Sequence, residues 1–241
     1  TQDLIRRKGF ILDAVAHIMA LATDCADGPM LAIGGPAVEG VKLHNSYYIL
    51  KGGQIVSRSD KHFLPNFNVF DEVRLFNRGD IQGPFASDGP RIGTPICEDA
   101  WYADVAEAQV ESGAEVLLVP NGSPYFRDKF NVRLNNMVSR VVENDVPLIY
   151  VNMVGGQDDQ IFDGGSFVLN RGGELALLMP VFDEAVAHVD LKREDGRWGR
   201  GAGRKGRASA SFGTGLPRHG GDSARLLRQD RVQEGAARPV G

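Results

Sequence analysis

The chain has 241 residues, 42% of them hydrophobic, and a net charge of −4; this allows one large core or two small ones and implies no strongly basic or acidic partner for the whole. No apolar run approaches the roughly 18 residues of a membrane span, and the first residues lack a signal peptide's basic start and apolar stretch. Two cysteines, Cys25 and Cys97, neither in a C-x-x-C pair, argue against a disulfide scaffold and a zinc site and suit a reducing cytoplasm.

Leu4 to Asp24 predicts an amphipathic helix, because Leu4, Ile11, Ala14, Ile18 and Leu21 recur near helical spacing and Gly28-Pro29 breaks the pattern. Short apolar runs follow at Met30–Ile33, Tyr47–Leu50, Ile55–Val56 and Arg91–Ile96. Asn45–Leu50, Gly52-Gly53 and Gln54–Ser57 read as a hairpin with a glycine turn. Tyr102–Ser112 predicts a helix closed by Gly113. Glu115–Val119 reads as a buried strand running into Pro120-Asn121-Gly122, and Phe126–Asn144 as a second long helix. Leu148–Asn152, Ser166–Leu169 and Ala185–Val189 are further expected strands. Strands alternate with helices while some neighbours are hairpins, which favours an α/β domain with a mixed sheet. Residues 1–198 hold 18 Lys+Arg against 28 Asp+Glu, whereas residues 199–241 hold 9 against 3. With 10 Gly and only 6 of Leu, Ile, Val and Phe, that last stretch cannot build a core, so the domain is expected to end near Trp198.

Cys97 directly follows the run Arg91–Ile96 and precedes Glu98-Asp99-Ala100-Trp101. A strand that ends in a thiol and passes into polar residues and a helix sets sulfur at the rim of a sheet, where nucleophiles are commonly displayed. A buried cysteine acting as a small hydrophobe fits the same position. Cys25, between Asp24 and Asp27 in sequence, has carboxylates that discourage its thiolate and is read as structural or incidental. A thiol titrates near ~8.5 unless a cation lowers it. Lys61 is the candidate cation: an isolated lysine reads as a solvated surface charge, but this one is followed by the stiff, aromatic-rich Leu64-Pro65-Asn66-Phe67-Asn68-Val69-Phe70-Asp71-Glu72, which is not an ordinary solvated face. His62 receives no role.

Four motifs occur in order: Lys61-His62-Phe63-Leu64-Pro65-Asn66-Phe67-x-Val69-Phe70-Asp71-Glu72, Pro95-Ile96-Cys97-Glu98-Asp99-x-Trp101, Asn121-Gly122-Ser123-Pro124-Tyr125, and Gly155-Gly156-Gln157-Asp158 to Phe162-Asp163-Gly164-Gly165-Ser166. Together, over roughly residues 3–198, they resemble the glutaminase domain of the glutamine-dependent NAD synthetase family, a nitrilase-superfamily (carbon–nitrogen hydrolase) module. The resemblance implies an αββα sandwich and a Glu–Lys–Cys triad. It makes Cys97 the nucleophile and Lys61 the triad lysine, stabilising the thiolate and then the oxyanion. Phe67 stands where the family usually has a tyrosine that helps hold glutamine, so one hydroxyl contact is missing here. Ser123 and Lys129 fall on two other glutamine-contacting positions, suited to the head group of an α-amino acid. Glu72 becomes a supporting carboxylate near the lysine. Taken alone, Ser123 reads also as a turn residue, Lys129 as a solvated helix charge and Gly155–Asp158 as an ordinary turn.

The resemblance further implies hydrolysis of the glutamine side-chain amide through a thioester, with ammonia passed to a synthetase domain that amidates deamido-NAD. No cofactor or metal is expected in this domain; ATP and magnesium belong to the synthetase part. A homo-oligomer is expected, without nucleic acid or membrane. The family's triad glutamate, its general base, falls upstream of Thr1, as does the first strand, so the chain is expected to be an amino-terminally truncated fragment that does not turn over glutamine. The tail reads as a disordered Gly/Arg-rich extension or as out-of-frame translation. Codons can be chosen for Arg225–Gly241 that, read one base later, give Asp-Tyr-Cys-Ala-Lys-Thr-Gly-Phe-Lys-Lys-Val-Leu-Leu-Gly-Leu-Ser; this resembles the lead-in to the Ser-Gly-Gly-x-Asp-Ser ATP loop of the same family. The alternatives are a free-standing amidase for another small amide and a non-catalytic binding or assembly module.

Overall fold

The computed structural model describes residues 4–200, Arg200 by its backbone alone, so the expectations for the tail beyond that point lie outside the described residues. A short 3-10 turn at Leu4–Arg6 precedes helix α1, Lys8–Asp24. The single helix expected from Leu4 is therefore interrupted, because Arg7 is extended at φ −90° and ψ 117°. Leu4 is exposed, and the fully buried positions of α1 are Ile18 and Ala22.

Strands β1 (Leu31–Glu39), β2 (Lys42–Lys51) and β3 (Gln54–Asp60) form an antiparallel sheet in that order. The β2–β3 turn is the expected Gly52-Gly53, both at positive φ (59° and 82°), the conformation a two-residue hairpin demands. β1 outruns the Met30–Ile33 prediction through Gly34-Gly35-Pro36. It lies at the sheet edge, where a proline's missing N–H is tolerated. Gly35 lets α1 approach, since a Cβ there would sit 2.5 Å from Ile18 Cδ1.

The chain continues through α2 (Glu72–Leu75), β4 (Phe85–Ala86), β5 (Arg91–Gly93), a 3-10 turn at Cys97–Trp101 and α3 (Ala103–Glu111). Then come β6 (Val116–Asn121), α4 (Lys129–Asn144), β7 (Leu148–Asn152), the hairpin β8 (Val154–Gln157) and β9 (Gln160–Asp163), β10 (Phe167–Leu169) and β11 (Leu175–Leu178). A last hairpin joins β12 (Leu191–Glu194) and β13 (Arg197–Arg200), two residues past the boundary expected at Trp198. The second sheet runs β11-β10-β7-β6-β5-β4, with β5, β6 and β7 parallel and the outer pairings antiparallel. It is the mixed sheet that the element pattern implies.

The alternation of β2 explains the layering, because successive strand residues face opposite ways. Tyr48 and Leu50 pack with Ile18 and Ala22 of α1, while Tyr47 and Ile49 pack with Ile96 and partly buried Leu118 and Phe85. On the far side of the second sheet, Leu117, Val119, Leu148 and Tyr150 meet Met137 and Val141 of α4 and Ala106 of α3. Helix, sheet, sheet and helices thus stack in the αββα order. Two expectations are corrected. The run Arg91–Ile96 pairs only to Gly93, after which Thr94-Pro95-Ile96 leaves the ladder. Ala185–Val189 forms no strand: Val186, 53% exposed, makes a single isolated bridge, and one bridge does not extend into a ladder.

Candidate active site

Cys97 opens the 3-10 turn directly after the chain leaves β5, with φ at 50°. A β-carbon-bearing residue in this region is held by its surroundings, at a cost of roughly 1–3 kcal/mol. The holding group is Asp99. Its buried carboxylate accepts the backbone N–H of Ile96 (3.1 Å), of His62 (3.1 Å) and of Phe63 (2.7 Å). One side chain therefore fixes the Cys97 turn and ties it to the segment that carries Lys61.

Lys61 extends from the end of β3 and is 2% exposed. Its backbone N–H donates to Asn45 O (2.8 Å) and its carbonyl accepts from Gly79 N–H (2.9 Å), so it is clamped between β2 and a loop. Its Nζ donates to Glu72 Oε1 at 2.7 Å. Burial alone would lower the Lys61 ammonium; the charges of Cys97, Glu72 and Asp99 outweigh that and hold it above the usual lysine value. Cys97 shows the counterpart. Burial pushes its thiol up, Lys61 pulls it down, and Glu72, Glu98 and Asp99 push it up again, leaving it raised. The resting sulfur is thus a thiol whose deprotonation Lys61 favours. His62 donates its Nδ1–H to Gly79 O (2.7 Å) and meets Arg78, so it serves the loop.

Ser123 and Lys129 arrive from the other side. Ser123, 3% exposed, follows β6; its N–H donates to Asn152 Oδ1 (3.0 Å) at the end of β7. Lys129, the first residue of α4, sets its ammonium over the rings of Trp101 (4.2 Å) and Phe126 (4.5 Å). Burial lowers its pKa, as does Arg133, while the charges of Cys97 and Glu98 act in the opposite sense. Those couplings bring Lys129 to the Cys97 neighbourhood. Glu98, 6% exposed, is raised by burial and drawn down by Lys61 and Lys129. Phe67 stands apart: it is 47% exposed and packs edge-on against Phe70 at 6.0 Å.

Lys61, Glu72, Glu98 and Lys129 are therefore coupled to the Cys97 thiol, Ser123 is joined to it through Tyr150, which feels both, and Phe67 lies on the exposed side of its loop. Sequence reasoning gave no roles to Glu98, Asp99, Arg133, Asn152 and Asp163. Glu98, Asp99 and Asp163 lie inside the quoted motifs, and that was the available signal. A three-residue cluster of possible metal ligands lies on the first sheet, where donor atoms of Glu39, His44 and Asp60 fall within 4.8 Å of one another. Arg58 already bridges it, donating to Glu39 (3.1 Å) and Asp60 (2.8 Å), and Ser46 also donates to Asp60. A metal there would have to displace a guanidinium.

Residues 12–198 match the family described as carbon-nitrogen hydrolase. A glutamine-dependent NAD(+) synthetase of Rhodobacter capsulatus is 50% identical over 198 residues, covering 82% of this chain and 36% of that protein. The structure of glutamine-dependent NAD+ synthetase from Acinetobacter baumannii, solved with adenosine diphosphate, superposes with a TM-score of 0.74 at 31% identity, covering 89% of this chain and 39% of that one. A carbon-nitrogen hydrolase from Helicobacter pylori superposes at 0.65 with 24% identity over 73% of this chain and 66% of that one, a likeness of fold. The chain spans little more than a third of the length of the synthetases it matches.

Proposed function

Since the chain belongs to the carbon–nitrogen hydrolase family, we propose that it is the glutaminase part of a glutamine-dependent NAD synthetase, with Cys97 as nucleophile. The observation that carries this reading is the buried Lys61–Glu72 pair at 2.7 Å, electrostatically coupled to Cys97. A structural salt bridge has no need of a thiol. A thiol that must attack an amide needs a fixed cation beside it, first for the thiolate and then for the oxyanion.

In this reading the Cys97 sulfur bonds to the side-chain amide carbon of L-glutamine, and the carbonyl π electrons move onto oxygen beside the Lys61 ammonium. The tetrahedral intermediate collapses by breaking the carbon–nitrogen bond, and the thiol's proton ends on the departing ammonia, carried in the family by a glutamate general base; no residue of this chain matches it, so in this reading the chain alone binds glutamine without turning it over. Water then cleaves the thioester, giving glutamate and restoring the thiol. Glu98 faces the substrate's ammonium, and Lys129 and Ser123 its carboxylate. The opposite charges of Glu98 and Lys129 favour an α-amino acid over a plain amide. Phe67 contributes to binding only if its loop closes inward.

The ammonia would pass to a synthetase portion that uses ATP and magnesium to convert deamido-NAD to NAD, as part of a homo-oligomer in the cytoplasm. Support comes from the relatives' names, from two unpaired cysteines and from the absence, among the described residues, of a helix able to cross a membrane. We assign residues 1–198 to this glutaminase domain.

Protection of Cys97 from iodoacetamide tests the substrate. L-Glutamine should protect at concentrations where asparagine and propionamide do not; equal protection by all three would favour an amidase of broad use.

A further inference from the structure

Arg133 lies one helical turn after Lys129 on α4 and is 1% exposed. All of its donors are committed. Nη1 donates to both oxygens of Asp163 (2.8 and 2.9 Å), Nη2 to the carbonyls of Ser123 (2.7 Å) and Pro124 (3.1 Å), and Nε to the Ser123 Oγ (3.1 Å). Asp163 ends β9 and stands before Gly164, whose carbonyl accepts from Asn152 Nδ2 (3.0 Å). Arg133 thus ties α4 to two segments, Ser123-Pro124 after β6 and Asp163 at the end of β9.

The Nε contact also decides what Ser123 can offer. A hydroxyl has one proton to donate and two lone pairs to accept with. With a guanidinium N–H on its accepting side, the hydroxyl turns its hydrogen away from Arg133. The Tyr150 hydroxyl beside Ser123 is held protonated by burial, so it has a proton of its own to offer the second lone pair of Ser123 and leaves the Ser123 hydrogen free. We propose that Arg133 is a positioning residue that fixes Ser123 as a hydrogen-bond donor into the Cys97 site. That position then selects the α-carboxylate of an amino-acid amide and refuses its ammonium. The Asp163 carboxylate compensates the guanidinium, so a second cation can stand one turn from Lys129 without expelling its charge.

This inference rests on the glutamine reading of the site. Its test compares L-glutamine with 4-aminobutyramide, which is glutamine without the α-carboxylate, by calorimetric titration of the full chain. Arg133→Met should weaken L-glutamine roughly tenfold or more, the scale of a lost hydrogen bond to a charged group, and leave 4-aminobutyramide unchanged. Because a buried Asp163 left without its partner could unfold the chain, Arg133→Lys is measured beside it. Lysine keeps a cation at Asp163 but lacks the separate Nε–H that reaches the Ser123 Oγ, so the carboxylate-selective loss should persist. Ser123→Ala should then cost little in the Arg133→Lys background and much in the wild type. Equal weakening of both ligands, or an undiminished Ser123→Ala effect beside Arg133→Lys, would overturn the inference while sparing the glutamine reading. Wild type that takes neither ligand would sink that reading, and the inference with it.

Discussion

The ammonium of Lys61 and the carboxylate of Glu72 meet at 2.7 Å, with the lysine 2% exposed and the glutamate side chain 16% exposed. Breaking a pair this enclosed leaves one charge without a partner. Glu72→Gln should therefore destabilise the chain by ~3 kcal/mol, toward the low end for a buried pair because Glu72 retains some solvent. It should also lower the Lys61 ammonium, whose raised state Glu72 helps to maintain. Chemical denaturation of both proteins checks the first effect, and a midpoint unchanged by Glu72→Gln would show that the pair is solvated.

Lys61 acts on Cys97 through charge. Because burial raises the thiol and Lys61 opposes that rise, Lys61→Met should move its titration further up. Iodoacetamide reacts with the thiolate, so at pH 8 the variant should label about tenfold more slowly, and the rate should keep climbing to higher pH than in wild type. Parallel pH–rate curves would mean that Lys61 does not govern the sulfur.

Asp99 makes stability depend on pH. Burial pushes its carboxyl up to about 6 from 3.8, against the pull of backbone donors at Phe63, Ile96 and His62. Between those values the folded chain holds a proton that the unfolded chain has released. Folding therefore loses ~3 kcal/mol from this group as the pH rises from 4 to 6, with no further change above. Asp99→Asn should remove that contribution, so the gap between the two stability curves should change by this amount across the window. A constant gap would place the Asp99 titration elsewhere.

Gly79 passes close beneath the end of β3. A Cβ there would lie 2.4 Å from Asp60 Cβ and 2.7 Å from Asp60 O, and its N–H donates to the Lys61 carbonyl. Gly79→Ala should cost ~2 kcal/mol and slow the labelling of Cys97 by displacing Lys61, whereas Gly83→Ala, with open space around its Cβ, should do neither. Thermal melts and alkylation rates on the same samples separate the two effects.

Much of this was legible in the residues. Gly52-Gly53 announced its hairpin because two positive φ angles leave few other candidates, and β7 was met at both ends because Leu148–Asn152 is apolar and bounded by Pro147. β8 and β9 went unread because Val154-Gly155-Gly156-Gln157 carries almost no strand propensity; pairing with Gln160–Asp163 supplies it. The β12–β13 hairpin did carry a signal, the Asp195-Gly196 turn with both residues at positive φ, and it was overlooked. Cys97 and Lys61 could be joined through the ordered motifs. Arg133 could not, because it is one of several basic residues on or near α4 and its counter-ion Asp163 lies 30 positions away. Phe67 had the right place in a motif, yet its ring faces outward, which no local pattern reports.

The central claim is that Cys97 is a nucleophile built to receive the side-chain amide of glutamine. An electrophilic glutamine analogue bearing a diazoketone in place of the amide, followed by peptide mass mapping, tests it directly. The account predicts a single adduct on Cys97, blocked by excess L-glutamine and slowed by Lys61→Met. Modification spread equally over Cys25 and Cys97, indifferent to glutamine, would contradict it.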